Sequence, residues 1–114
     1  MVISQGDVCW VDFGPVEGSR PAYRRPVVIV QCDAFNRSRI ATAVCVPLTS
    51  NVRRAEAPGN VLLGPEATGL VKESVANVSQ VITVDRKAIG PRVGKLAGDK
   101  LELVLSGIEV VLDR

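Results

Sequence analysis

The sequence predicts a mainly β protein: a small, strongly bent barrel of short strands with one α-helix packed on it at the C-terminal end. Runs rich in β-branched residues alternate with clusters of Gly, Pro, Asn and Asp, as is typical of strands joined by turns. The apolar pattern takes on a helical period only near the end of the chain. Hydrophobic residues make up 46% of the 114 residues and aromatic residues only 4%, so Val, Leu, Ile and Ala must build the core.

A chain of this length can form one domain with a hydrophobic core of its own. No linker, low-complexity segment or internal repeat divides the sequence. We therefore expect a single domain that spans residues 1–114.

The first half of the chain contains three strand-like runs. Gly6 and Asp7 precede the first run, and a loop with two glycines and two prolines, residues 14–21, follows it. Pro47 lies near the end of the third run, which indicates a strand end or a sheet edge. The three predicted strands cover residues 8–13, 26–31 and 42–48.

The strands of the second half are shorter. Polar residues separate them from the first three strands: residues 33–38 are turn-like, and residues 50–60 form a loop that contains Pro58 and Gly59. The runs predicted to be strands cover residues 61–63, 74–78, 81–84 and 93–96.

One amphipathic helix is predicted at the end of the chain. Six apolar residues recur there at the spacing of one helix face. Asp99 lies near the helix start, where a carboxylate suits the helix dipole, and Gly98 is a suitable boundary. The apolar face consists of Leu101, Val104, Leu105, Ile108, Val111 and Leu112.

Composition excludes several kinds of chemistry. The chain has no histidine, so Ser-His-Asp triads, Cys-His pairs and HExxH zinc sites are absent from it. Its three cysteines, Cys9, Cys32 and Cys45, form no CxxC pair, and the acidic residues are too dispersed for a two-metal nuclease. We therefore expect no metal and no cofactor.

The start of the chain and its apolar runs indicate where the protein works. The first residues lack the features of a signal peptide, and no apolar run approaches the roughly 20 residues of a membrane span. We expect a cytoplasmic protein with reduced thiols and no membrane contact.

Positive charge is concentrated in one part of the chain. Residues 18–55 contain seven arginines, no lysine and a single acid, Asp33, although the whole chain has a net charge of only +2. Arg engages phosphate through two parallel hydrogen bonds and stacks on bases, and Tyr23 in the same segment offers an aromatic face. The segment favours RNA or another single-stranded nucleic acid as partner. The alternative is an ordinary solvated surface.

RNA cleavage is a chemistry that does not require histidine. It needs the 2′-hydroxyl placed in line with the phosphorus, and donors that stabilise the charge growing on the phosphoryl oxygens. Arg25 lies directly before the strand that begins at Pro26, and Thr49 lies directly after the strand that ends at Leu48. A guanidinium and a hydroxyl from neighbouring strand ends could supply this stabilisation. The alternative for Thr49 is an ordinary turn residue.

These residues belong to an ordered set of motifs. The set comprises Gly6-Asp7-Val8, Gly18-Ser19, Arg25 to Val30, Val46-Pro47-Leu48-Thr49-Ser50, Ser74-Val75 and Gln80-Val81. In this order, and continuing to the C-terminal helix, the set resembles the MazF/PemK family of toxin endoribonucleases. The resemblance covers nearly the whole chain.

The resemblance implies an SH3-like barrel of the CcdB/MazF/PemK type, a homodimer, and inhibition by a small MazE-type antitoxin. It also implies metal-independent cleavage of single-stranded RNA within a short sequence. The family's catalytic Arg and Thr match Arg25 and Thr49, and the Ser of its Gly-Ser motif matches Ser19. The residues expected to contact RNA are Ser19, Arg20, Tyr23, Arg24, Gln31, Asn36, Ser50, Asn51, Arg53 and Gln80.

Two positions depart from the pattern of the family. Many relatives carry Glu after Gly-Ser, where this chain has Arg20, and many carry an acid before the Gln of the later strand, where it has Ser79. Arg is a poor base because its pKa exceeds about 12. We therefore assign Arg25 to charge stabilisation and leave the general base unassigned.

Two other functions fit the same fold class. A CcdB-like gyrase poison resembles it in shape, but such proteins act through a Trp near the C-terminus, and the single Trp here is Trp10. A non-catalytic RNA-binding barrel would need only the arginine-rich segment.

Overall fold

The long strand at the centre of the sheet contacts more strands than any other. The computed structural model describes residues 2–19 and 21–114. Its strands are β1 (Asp7–Asp12), β2 (Arg24–Ile29), β3 (Thr42–Thr49), β4 (Val61–Leu63), β5 (Ser74–Ala76), β6 (Ile82–Asp85) and β7 (Ile89–Lys95). The helices are α1 (Asp33–Asn36), α2 (Pro65–Thr68) and α3 (Gly98–Leu112), and 3₁₀ turns cover Val52–Glu56, Val78–Gln80 and Arg86–Ala88.

All paired strands are antiparallel, in the order β4-β5-β3-β2-β1-β7. One edge of β3 pairs with β2. Its other edge pairs first with β6, through Ala43 and Val84, and then with β5, through Leu48 and Ala76. The sheet therefore divides around β3, and the end of β3 lies where β2 and β5 meet.

Alternation along β1, β2 and β3 produces two separate hydrophobic cores, because successive side chains of a strand point to opposite faces. The first core, on one face, contains Cys9, Val11, Val27, Ile29, Ala43 and Cys45. The second, on the other face, contains Val8, Val28, Val30, Val46 and Leu48. With both faces covered, the strand ends are where these strands can present polar side chains.

Helix α3 covers the second core. Val104 is fully buried there, and Leu101, Leu105 and Ile108 pack against the same cluster. The predicted helix and its apolar face are confirmed over these positions, and Asp99 lies in the first turn as expected. Val111 and Leu112 differ: they lie in the last turn, are exposed and belong to neither core.

The predicted mainly β fold with a C-terminal helix is confirmed, and the differences are local. The segment predicted as a turn at residues 33–38 contains the one-turn helix α1, and α2 was not predicted. A helix of four residues is too short to show a period. The only sequence signals of such a helix are residues that favour its two ends, such as Pro65 at the start of α2 and the left-handed Gly69 after it.

Strand β7 begins earlier than the predicted run of residues 93–96. It includes Gly90, Pro91 and Gly94, residues that are depleted in strands. The strand accommodates them because it lies at the end of the sheet order and pairs with β1 through two irregularities in register. A Cβ at Gly94 would lie 2.2 Å from the carbonyl oxygen of Thr68, so close backbone packing requires glycine here.

Two glycines allow the backbone of helix α3 to lie very close to that of the loop before β4. A Cβ on Gly107 would lie 2.0 Å from the carbonyl oxygen of Gly59, and Gly59 itself has a φ of +84°. Both facing atoms belong to backbone, so a side chain could be accommodated only by moving the helix or the loop.

We predict that Gly107→Ala destabilises the protein by about 1–3 kcal/mol, the usual cost of overpacking a close contact. Gly98→Ala is the matched control, because a Cβ there meets no atom within 4 Å. Equilibrium unfolding in urea measures both variants. A midpoint for Gly107→Ala equal to that of the wild type would contradict the close approach.

Candidate functional site

The register of β2 and β3 places Arg25 and Thr49 opposite each other. Val27 pairs with Pro47 and Ile29 with Cys45. Continued for two residues toward the strand ends, this register sets Arg25 opposite Thr49. Directly opposite residues share a face of the sheet, with Cβ atoms about 4.5–5.5 Å apart. The two side chains thus lie together just beyond the end of the first core.

A polar pocket of about 180 Å³ lies at this end of the sheet. It contains two cations, Arg25 and Arg54, and its lining includes no carboxylate, cysteine or histidine. The lining residues are Ser19, Pro21, Arg25, Pro47, Leu48, Thr49, Arg54, Asn77 and Gln80. Such a lining suits a ligand that carries negative charge, such as a phosphodiester.

Arg25 is anchored at one atom. Its Nε donates to the carbonyl oxygen of Ala22 at 3.2 Å, and the side chain is exposed. Within residues 2–19 and 21–114, no carboxylate lies within ion-pair distance of its guanidinium. The anchor limits the movement of the side chain, and the terminal nitrogens can donate to an anion.

Thr49 is held by the turn that follows β3. Its Oγ1 accepts a hydrogen bond from the backbone N–H of Asn51 at 3.2 Å, and the Asn51 side chain in turn accepts one from the N–H of Arg53. Thr49 is half-buried. Because Oγ1 is the acceptor in its bond, the hydroxyl proton remains available to a ligand in the pocket.

Three side-chain amides join the segments around the pocket into what we call the amide chain: Asn60, Asn77 and Gln80. Asn60 donates to the carbonyl oxygen of Arg54 at 2.8 Å and to Oδ1 of Asn77 at 3.3 Å. Asn77 donates to Oε1 of Gln80 at 3.2 Å, and Gln80 donates to the carbonyl oxygen of Ser19 at 2.8 Å. The amide chain thereby connects both ends of the pocket lining.

The structure gathers some of the predicted site residues and separates others. Ser19, Arg25, Thr49 and Gln80 line the polar pocket. The amide of Gln80 is already bonded at both ends, so Gln80 is placed to position the Ser19 loop.

The other predicted residues lie around the polar pocket or away from it. Ser50 and Arg24 line a second, adjoining pocket. Tyr23, Asn51 and Arg53 are exposed, and Arg20 lies outside the residues that the structure describes.

Gln31 and Asn36 lie away from both pockets. Both are buried, and their side chains bond each other at 3.0 Å. Asn36 also donates to the Gln31 carbonyl, and Gln31 to that of Thr42. These bonds fasten α1 to the sheet, and we omit both residues from the proposed RNA contacts. Asp33 in α1 accepts from the N–H of Gln5 and from Asn36, and the two bonds lower the pKa of its carboxyl.

Sequence reasoning missed one member of the site and named another only as part of a larger group. Asn77 was noted only as part of a strand, although an Asn beside the Gln80 motif is a polar residue at a strand end. Arg54 lines the pocket and is one of the seven arginines of residues 18–55, whereas its neighbour Arg53, named among the expected RNA contacts, does not line it. The direction of each side chain in the 3₁₀ turn decides between these two adjacent arginines.

The remaining reactive groups lie outside the polar pocket. Burial, with a contribution from Asp7, raises the pKa of the Cys9 thiol to about 11, and burial raises that of Cys45 to about 12. Neither forms a thiolate near neutral pH. Cys32 is exposed. In the described part of the chain, no group of three acidic or cysteine side chains is arranged to hold a metal ion.

A helix that could cross a membrane is likewise not found among the described residues.

Comparison with known proteins gives a consistent result. Residues 4–112 match the family model described as PemK-like, MazF-like toxin of type II toxin-antitoxin system. Endoribonuclease MazF2 of Mycobacterium bovis is 42% identical over 113 residues, covering 99% of both chains. Endoribonuclease EndoA of Bacillus subtilis is 28% identical and covers 98% of this chain and 96% of its own.

Solved structures show the same fold. MazF of Deinococcus radiodurans superposes with a TM-score of 0.82 at 23% identity and covers 100% of this chain and 99% of its own. A mycobacterial endoribonuclease in complex with its cognate antitoxin gives a TM-score of 0.75 at 22% identity and covers 98% and 94%.

We predict that Gln80→Ala loosens the loop of residues 14–19 because the Ser19 carbonyl loses its donor. Hydrogen exchange of backbone amides in this loop should become faster, and the free energy of unfolding should fall by about 0.5–1.5 kcal/mol.

Gln5→Ala is the matched control. The Gln5 amide donates to the carbonyl oxygen of Val30 at 2.9 Å, a bond of the same chemistry that does not involve the loop. Exchange in residues 14–19 that is equally fast in both variants would contradict a positioning role for Gln80.

Proposed function

Because this chain belongs to the PemK-like, MazF-like toxins of type II toxin–antitoxin systems, we propose that it is an endoribonuclease that cuts single-stranded RNA at a short sequence without a metal ion. The observation that carries the mechanism is that Arg25 and Thr49 line one pocket, which presents cations and hydroxyls but no carboxylate. The reaction uses the 2′-hydroxyl of the RNA itself as the nucleophile.

The chemical step is an internal transesterification. The 2′-oxygen forms a bond to phosphorus while the bond from phosphorus to the 5′-oxygen breaks. The proton of the 2′-hydroxyl passes to water, and the departing 5′-oxygen takes one from water. The products are a 2′,3′-cyclic phosphate and a 5′-hydroxyl.

Arg25 and Thr49 act on the transition state of this step. Negative charge grows on the phosphoryl oxygens, where the Arg25 guanidinium and the Thr49 hydroxyl donate hydrogen bonds. Ser19, in the loop between β1 and β2, lines the same pocket. Arg54 adds a second positive charge that attracts the RNA backbone.

No protein group is assigned as the general base. Arg20 and Ser79 occupy the two positions where relatives often carry acids, and the Ser79 hydroxyl donates to Oδ1 of Asn77 at 3.4 Å. The lining therefore offers no group that takes up a proton near neutral pH. Placement of the 2′-hydroxyl and charge stabilisation supply the catalysis.

The partners follow from the same proposal. We propose a cytoplasmic homodimer that a MazE-type antitoxin neutralises. Apolar side chains in the last turns of α3, Val110, Val111 and Leu112, are between 40% and 60% exposed and suit contact with another chain. The mycobacterial relative solved with its cognate antitoxin supports an antitoxin as partner.

We predict that Arg25→Ala and Thr49→Ala each lower the rate of RNA cleavage by about 10²- to 10³-fold, the usual effect of removing one preorganised donor. Both proteins should fold, because neither residue belongs to either core. Single-turnover cleavage of a labelled RNA measures the rate, and fluorescence anisotropy measures binding separately.

Thr83→Ala and Arg114→Ala are the matched controls, since both residues are exposed and lie outside the polar pocket. Wild-type rates in Arg25→Ala and Thr49→Ala would refute the catalytic assignment. A wild-type protein that binds varied RNAs and cuts none would indicate a binding module instead.

We also predict that cleavage proceeds unchanged in EDTA and leaves a 2′,3′-cyclic phosphate. An RNA with 2′-deoxyribose at the cut nucleotide should resist, because the nucleophile is missing. Mass spectrometry of the fragments identifies their ends. Activity that EDTA abolishes and magnesium restores would show that the reaction depends on a metal.

A further inference from the structure

A second pocket, of about 330 Å³, adjoins the polar pocket at the same end of the sheet. Its walls are mainly apolar, and Trp10 of β1 lies next to Pro26 of β2 in the register of these strands. The lining residues are Trp10, Arg24, Arg25, Pro26, Leu48, Ser50, Leu70, Val71, Lys72 and Ser74.

Three features of this lining indicate a ligand. Arg24 lies over the Trp10 ring, 4.7 Å from its centroid, and forms a cation–π pair. Val71 at the rim is 95% exposed, so the protein itself leaves this apolar side chain uncovered. Ser74 is only 4% exposed as a residue, and its hydroxyl, which is open to the pocket, bonds no residue that the structure describes.

A serine hydroxyl donates one hydrogen bond and accepts others, so the Ser74 hydroxyl can bond a polar group in the pocket. A ligand with polar atoms at its edge would form this bond. The indole and the guanidinium offer flat surfaces to the same ligand. The site therefore suits a molecule with apolar faces and a polar rim.

The charge and position of the pocket narrow the choice of ligand. Arg24, Arg25 and Lys72 line it without any carboxylate, which favours a polyanion. Arg25 and Leu48 line both pockets. A chain whose phosphate lies at Arg25 would thus reach the second pocket with the adjoining part of the molecule.

We propose that the second pocket binds one base of the RNA strand, adjacent to the phosphate that is cut. The base stacks on the Trp10–Arg24 pair, and Ser74 hydrogen-bonds its edge. Aromatic and guanidinium planes are the usual platforms for unpaired RNA bases. The pocket thereby contributes to the choice of cut sequence. This inference rests on the proposed ribonuclease function and adds a specificity site to it.

The test uses the intrinsic fluorescence of the wild-type protein, because Trp10 is its single tryptophan. The probe is a short single-stranded RNA that contains the cut sequence, determined by sequencing fragment ends, with 2′-deoxyribose at the cut nucleotide to prevent cleavage. We expect binding to quench Trp10. An abasic nucleotide on one particular side of the cut should remove the quenching, while abasic nucleotides at more distant positions leave it.

A double-mutant cycle then measures the contact in the reaction. Trp10→Ala with the intact RNA, and the wild type with the abasic RNA, should each lose about 5- to 150-fold in kcat/KM, the range for one stacked base. The two changes together should cost little more than one alone. Trp10→Phe, which keeps an aromatic face, should retain most of the activity.

The outcomes separate this inference from the proposed function. Cleavage of the all-ribose RNA tests the function by itself. RNA that binds without changing Trp10 fluorescence, or quenching that survives an abasic nucleotide on both sides of the cut, would overturn the base site. If Trp10→Ala with the abasic RNA loses activity by the product of the two single losses, the two groups act independently, and the base site would be overturned as well.

Discussion

The antiparallel register between β2 and β3 is the constraint on which the site depends. Each strand has both faces buried, so its side chains can reach solvent only beyond the last core residue. Continued two residues beyond the pair of Val27 and Pro47, the register sets Arg25 opposite Thr49, and both residues line the polar pocket. A slip of one residue would set Arg25 opposite Leu48 or Ser50 and move Thr49 to the other face relative to Arg25. The two cores resist such a slip because they fix each strand from both sides.

No carboxylate in the lining of the polar pocket neutralises the positive charge of Arg25 and Arg54. Its loops are joined by carboxamides, which both donate and accept hydrogen bonds and carry no charge. An ionised carboxylate could not replace any of the three amides, because each of them donates a hydrogen bond to an oxygen. It would also attract the guanidinium of Arg25 or Arg54 and weaken the field on a phosphate. The neutral amide chain is thus consistent with a site that acts through electrostatic stabilisation rather than proton transfer.

The two pockets differ in the strand faces from which most of their lining side chains come. Arg25 and Thr49 continue the first-core face, whereas Trp10, Pro26 and Leu48 follow the face of the second core. The first pocket is polar and small, and the second is larger and mainly apolar. Arg25 lines both pockets. A phosphate bound at Arg25 would therefore lie between Thr49 in the polar pocket and, as we propose, the base-binding site in the second pocket.

The sequence by itself determined the elements whose signals are local. Runs of β-branched residues predicted β2 and β3, a helical period predicted α3, and the strand ends singled out Arg25 and Thr49. Tertiary structure alone decided the rest. It buried Gln31 and Asn36 against each other, made β7 from a segment with Gly90 and Pro91, and brought Gln80 to Ser19, 61 residues away. It also placed Leu70 and Val71 beside Trp10. The reason is physical: propensity and period arise between near neighbours, whereas burial and hydrogen-bond partners depend on which loops meet in space.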